Sequence, residues 1–388
     1  MNDQTPLPEL ARRLAVVQAE MRADGLDALV AGDHGGWVTD TGDLRYLTDF
    51  SIGALPGAIP GAAIVVPAAG PPVIVVPRGP QNNFREWAQA TTNVDVLEAG
   101  SLEDGVRSVV TDLVPSGARV GAGATFSSRN GAVLAIPGRA IVDYSLQPGP
   151  FERARSTKSA FEISLLREAQ RASDAGMAAF FEQARSGRRH ADAQDAARHA
   201  AVAEGADDAL VIMNAGTPWM WWTEQGQRRF PVEGVISVEV NARVRGYSAQ
   251  LARSAPMGIP SKLQIAILDA ADASTEAMVA ALRVGATGHD IWMAGMAAPN
   301  RSGLSAWGRL GHGVGLAIDE GLAVVEHSTT ATELGMVIAV HGAPWDARTR
   351  QSALVGEQYV VTESGAEPLS KAARIRAVSL TPDTNPHV

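Results

Sequence analysis

The chain has 388 residues, 46% of them apolar and 19% charged, which is more apolar material than a single hydrophobic core usually holds, so two domains are expected. A formal charge of −9, with no Lys/Arg cluster, excludes the basic surface that nucleic acid or an anionic membrane requires. With no cysteine, disulfides, thiolate nucleophiles and cysteine-ligated metals are excluded together.

Leu10, Leu14, Val17 and Met21 recur at helical spacing before Gly25-Leu26, which predicts a helix over 7–24. A short strand at 27–31 follows, then two buried strands at 62–66 and 73–76 joined by a Gly-Pro-Pro turn, and a helix at 82–90. Helices alternating with strands predict an α/β layer. The apolar runs at 62–67 and 73–77 are too short to span a bilayer, and the polar start Met1 to Leu14 lacks the apolar stretch of a signal peptide. The expected location is the cytoplasm.

Gln147-Pro148-Gly149-Pro150 breaks the pattern and sets the expected domain boundary, giving domains 1–150 and 151–388. Behind it, Ser159 or Thr157 offers an N-cap, with Glu162 in the first turn of a helix over 157–185. Further helices are predicted at 190–204, 261–283 and 288–298, and strands near 209–214, 235–253, 309–316, 335–341 and 354–362.

The segment Gly311-His312-Gly313-Val314-Gly315 to Asp319-Glu320 resembles the Gly-His-Gly-(Ile/Val)-Gly…His-Glu strand of the pita-bread family, which comprises creatinase, aminopeptidase P, prolidase and methionine aminopeptidase. Arg155-Ser156-Thr157-Lys158-Ser159-Ala160-Phe161-Glu162-Ile163 resembles the entry to the catalytic domain of its creatinase and prolidase branch, and Asp43 to Phe50 is similar to an N-terminal motif of the same proteins. The resemblance implies a small N-terminal creatinase-like α/β domain. After it comes a catalytic-type domain whose curved antiparallel sheet carries helices on its outer face, and the protein is expected to be a homodimer.

In metal-dependent relatives five side chains hold two divalent ions: two Asp eleven apart on a hairpin, the first His, and two Glu on later strands. Two hard cations a few ångströms apart need that many anionic oxygens around them. The resemblance puts Glu239 and Gln250 at the two Asp positions and His312 at the His. His341 stands at the first Glu and Gly356 at the second, with Glu357 one place late. A one-residue offset on a strand turns a side chain to the opposite face, so Glu357 is expected outside the pocket unless a bulge intervenes. The second family His is Asp319, and the catalytic His of creatinase, which precedes the hairpin, has Trp222 near its place.

Three readings follow. The first is an enzyme without a metal cofactor, moving protons with His312, His341 and Glu239, since a His–carboxylate set is the commonest proton-transfer device near neutral pH. Asp319 would fix an imidazole tautomer or bind a cationic group, Gln250 would contact substrate, and Arg348 could clamp a carboxylate. In the second, His312 and His341 hold a single divalent metal ion together with an oxygen donor. The third is a non-catalytic binding module. Trp219, Trp221 and Trp222 offer flat walls to an aromatic, cyclic or cationic small molecule, or else pack in a core or dimer contact. His190, His199, His289 and His327 read as solvated. The substrate expected is a small nitrogen-containing or aromatic metabolite, transformed by C–N hydrolysis, elimination or cyclisation.

Overall fold

The computed structural model describes residues 5–32, 42–50, 61–79, 83–92, 94–123, 134–144, 146–215 and 227–370. The chain divides into two compact units, Met1–Arg155 and Ser156–Val388.

The first unit runs α1 (Leu7–Ala23), β1 (Ala28–Gly32), α2 (Asp43–Thr48), β2 (Ala63–Pro67), β3 (Val73–Pro77), α3 (Phe84–Thr91), β4 (Asp95–Ala99), α4 (Leu102–Leu113), β5 (Arg119–Ala122), β6 (Ala140–Asp143) and α5 (Pro150–Ser156), which ends at the boundary. Its six-stranded sheet has the order β4-β3-β2-β1-β5-β6 and mixes parallel with antiparallel pairs. Val106 and Val110 of α4 are fully buried against Val30, Val65, Val75 and Val120 of the strands. The apolar spacing of Leu102, Val106, Val109 and Val110 is the helical signal of α4.

The second unit runs α6 (Ala160–Gln183), α7 (His190–Ala203), β7 (Asp208–Ala215), β8 (Gly234–Val244), β9 (Tyr247–Ser248), β10 (Leu251–Met257), α8 (Lys262–Ala281), α9 (Gly288–Arg301), β11 (Ser305–Ala306), β12 (Arg309–Gly313), β13 (Glu320–Val325), β14 (Val337–Gly342), β15 (Pro344–Trp345), β16 (Val355–Thr362) and β17 (Gly365–Pro368). Three of its helices start where local chemistry dictates. Ser159 with Glu162, Ser261 with Gln264, and Thr287 with Asp290 each form a reciprocal capping box, each worth about 1 kcal/mol by satisfying end N–H groups.

The large sheet is antiparallel, in the order β13-β12-β14-β16-β10-β8-β7, with β9 on β8 and β17 on β16. Helices cover one face. Val238 and Val240 pack with Met177 and Phe180 of α6, whereas Ile338 and Val340 pack with Met278 of α8 and Ile291 of α9. Strand alternation sends Glu239, Asn241, Ala339 and His341 to the other face. This helix-backed antiparallel sheet is the pita-bread fold. No helix among the described residues is long and apolar enough to cross a membrane.

Candidate active site

A two-residue turn sets the first part of the site. Arg245 and Gly246, with φ of 50° and 85°, reverse the chain between β8 and β9, the left-handed pair that a tight hairpin needs. From there the register runs unbroken through Ala249, whose N–H donates to Ala242 O at 2.8 Å, into β10, where Ala252 faces Glu239 and Leu251 faces Val240. Gln250 is thereby set beside Asn241.

The same row continues across the sheet. Ala252 faces Gly356 on β16, and Gly356 faces His341 on β14. Residues opposed in antiparallel strands project to the same side, so Glu239, Ala252, Gly356 and His341 form one row. His312 of β12 faces Ala339, two residues from His341, and the two imidazole centroids are 5.3 Å apart with the rings inclined at 63°. Gly311 and Gly313 make this approach possible, because a β-carbon at either would run into the carbonyl oxygens of Ala339 and Glu320 respectively.

Gly356 has a similar constraint from a side chain: a β-carbon there would stand 2.5 Å from His341 Cδ2. The imidazole from one strand occupies the space above the glycine of the next. Glu357 points through to the helix face, as its one-residue offset predicts, and pairs there with Arg253. Tyr359 Oη donates to Glu357 Oε2 at 3.0 Å, and Arg253 Nη1 donates to the carbonyls of Ala252 and Gly356 at 2.9 and 3.0 Å. Glu357 therefore anchors the guanidinium that braces the row from behind.

Burial decides the electrostatics of this face. It pushes the Glu239 carboxyl up to about 7, against hydrogen bonds from Asn241 (3.5 Å) and Gln250 that favour the anion. Burial also holds His312 below the ordinary imidazole value, and His341 well below it with help from the neighbouring His312 and Arg309. His312 Nδ1 donates to the Gly313 carbonyl at 3.1 Å, and the ring also hydrogen-bonds the main chain of Ile318. His341 Nε2 is buried and has no hydrogen-bond partner among the described residues.

Of the sequence candidates, His312 and His341 come together, and Glu239 gathers with Gln250 and Asn241. Glu239 has no hydrogen bond to either imidazole among the described residues, and three strand spacings, about 14 Å of sheet, separate the backbones of Glu239 and His341. Asp319 is held by Arg309, with oxygen–nitrogen contacts of 2.5 Å, and not by an imidazole; its charge reaches His312 only as a secondary influence. Arg348 is exposed beside Asp346. Trp219, Trp221 and Trp222 lie outside the described residues.

His190 departs from its expected solvation. At the start of α7 it is 1% exposed and sits 4.6 Å from the Phe230 ring, a distant contact that helix periodicity does not reveal. It lines a cavity of about 520 Å³ with Arg228, Gln351 and Ser352, away from the row just described. Asn241 and Gln358, which were not among the sequence candidates, lie at even spacings along the strands from Glu239 and Gly356. That alternation was the available signal.

A two-ion centre does not fit these residues. Glu239 is the one carboxylate left at the five ligand positions, and burial raises its pKa to about 7. Gln250 is uncharged, and the His341 ring fills the place above Gly356. Among the described residues no three His, Asp or Glu side chains gather as a metal site, so the His312–His341 pair lacks a third such ligand there.

Residues 164–363 match metallopeptidase family M24. A Sinorhizobium fredii protein described as an uncharacterized hydrolase/peptidase, y4tL, is 27% identical over 391 residues, covering 95% of this chain and 96% of that one. A Rhizobium rhizogenes protein described as an agropine synthesis cyclase is 31% identical over 131 residues, 32% of this chain and 33% of its own. The solved dipeptidase PepE from Mycobacterium ulcerans shares the fold, with a TM-score of 0.78 at 24% identity over 98% of this chain and all of that one. The His312 strand, the sheet order and the matched span agree, and the chain belongs to metallopeptidase family M24.

Proposed function

We propose that this M24 member is an enzyme that works without the paired metal centre, by His/carboxylate acid–base chemistry on a small nitrogen-containing or aromatic metabolite. The observation that carries this reading is the exchange at β14 and β16, where His341 stands over Gly356 and removes two carboxylates from the ligand set. What is left suits proton transfer. Glu239, titrating near neutral pH, can hold or release a proton, while His312 and His341 stay neutral and can accept one transiently. His312 acts as the proton shuttle, His341 as its partner, and Glu239 as the group that charges or protonates at the far end of the row. A substrate spanning the row meets the imidazoles at one end and Glu239 at the other.

Among C–N hydrolysis, elimination and ring closure, the partial likeness to the protein described as an agropine synthesis cyclase favours ring closure. In that step a nucleophilic O–H or N–H of the substrate loses its proton to an imidazole as it bonds to a carbon of the same molecule, and the bond from that carbon to the leaving group breaks as the leaving group takes the proton back from the imidazolium.

The test is turnover of a panel of amine, amide and aromatic metabolites by chelator-treated protein whose metal content is measured alongside. Turnover by metal-depleted protein, reduced roughly 10²–10⁴-fold in His341→Ala and Glu239→Gln, is the expected result. Two divalent ions per chain, required for turnover, would overturn the reading.

A further inference from the structure

Three side-chain amides line up beside the row of Glu239 and His341. Asn241 of β8 lies beside Gln250, which immediately precedes β10, and Gln358 of β16, which faces Ala339, lies two residues beyond the Gly356 that pairs with Ala252. Each amide nitrogen is committed to an acceptor. Asn241 Nδ2 donates to Glu239 Oε2 at 3.5 Å, Gln250 is hydrogen-bonded to the Glu239 carboxyl, and Gln358 Nε2 donates to the main-chain carbonyl of Ser248 at 3.0 Å. These partners fix which way each amide is turned.

The other end of each amide is unmet. Asn241 Oδ1, Gln250 Oε1 and Gln358 Oε1 are buried without a hydrogen-bond partner among the described residues, as are Ser248 Oγ and His341 Nε2. The side chains concerned are at most 6% exposed. A buried polar atom left unpaired costs about 1–3 kcal/mol, and so many on one face of one sheet call for something that satisfies them. Three of the five can only accept. Their strands are neighbours, so the carbonyls extend over about 10 Å, more than one ammonium group can cover. The guanidinium of Arg253, on the opposite face of β10, is spent on Glu357 and on main-chain carbonyls. A carboxylate or phosphate placed here would face carbonyl oxygens and Glu239.

We infer that this face binds a chain carrying several O–H or N–H donors, a polyhydroxylated or polyamine part of the ligand, laid across Asn241, Gln250 and Gln358. The inference rests on the proposed function only in taking that ligand to be the substrate.

Calorimetric titration of chelator-treated, full-length protein with sorbitol, spermidine and citrate tests it. Saturable binding of sorbitol or spermidine with one site per chain is expected, with no binding of citrate. Sorbitol binding would identify hydroxyls as the donors, and spermidine binding amines. Gln358→Met and Gln250→Met should each weaken that binding at least tenfold while their melting curves show a folded protein. Binding of citrate, binding of neither donor-rich probe, or undiminished affinity in both folded variants would overturn the inference. So would a crystal soaked with the bound probe in which ordered waters still occupy all three carbonyls. The readout is affinity and not turnover, so a failure of the acid–base chemistry leaves this titration interpretable.

Discussion

The imidazole of His341 lies over the backbone of Gly356, directly opposite it on the neighbouring strand, with Cδ2 2.5 Å from where a β-carbon at 356 would stand. Each residue restricts the other. A Gly356→Ala variant must push the ring out of place, so turnover should fall roughly 10–100-fold, with overpacking costing about 1–3 kcal/mol. Adding His341→Ala should recover most of that stability. Urea unfolding of both single variants and the double variant measures the coupling, expected to be at least about 1 kcal/mol. Additive effects would mean that the two residues do not share this space.

Glu239 should leave a pH signature. Its carboxyl is raised from 4.5 to about 7 in the folded protein, so the native state keeps a proton that the unfolded chain releases above 4.5. Stability from this group is fully present below pH 4.5 and is lost as pH rises through 7, a fall of about 3 kcal/mol if the whole shift is realised. The lowered imidazoles of His312 and His341 act oppositely, since the unfolded chain binds protons near pH 6 that the native state refuses. The effect must therefore be read as a difference. Unfolding free energies of the parent minus those of Glu239→Gln, taken from pH 4 to 8, should decline with pH. A flat difference would place Glu239 in a well-solvated setting.

How much of this was legible in the sequence depended on the range of the forces involved. The Ser159-x-x-Glu162 capping box could be read because its partners are three residues apart, and it selects Ser159 over Thr157 as the cap. The fate of Glu357 could be read because strand alternation has a period of two, and a single-residue shift admits only the helix face. The pairing of Asp319 with Arg309 was not legible, because Arg309 reaches it across a register irregularity between β12 and β13 that no local pattern announces. The amide row needed the register between β10 and β16, which is carried by the single pair Ala252 and Gly356. His190 turned inward through an aromatic contact forty residues away, with Phe230.

Glu357 should matter for stability through Arg253. Their side chains are 5% and 2% exposed, and the guanidinium also holds the carbonyls of Ala252 and Gly356. Removing one partner of a buried pair leaves an uncompensated charge, so Glu357→Gln should lose about 3–5 kcal/mol in urea unfolding. Replacing both by apolar residues, Arg253→Met with Glu357→Leu, should cost much less. A loss below about 1 kcal/mol in Glu357→Gln would mean that water reaches the pair.

The route back to a metal centre should need several changes at once. Gly356→Glu alone places a carboxylate where the His341 ring already stands, so it should destabilise the fold and bind no ion tightly. Combining Gly356→Glu with His341→Glu, Gln250→Asp and Glu239→Asp clears that space and gives four carboxylates around His312, the donor set that two hard divalent ions require. Titration with Mn²⁺ should then find two ions per chain in the fourfold variant and none in the parent after chelator dialysis. Tight binding of two ions by the parent would show that an amide, an imidazole and a bare backbone can do the work assigned to carboxylates. The acid–base reading of this site would then fail with it.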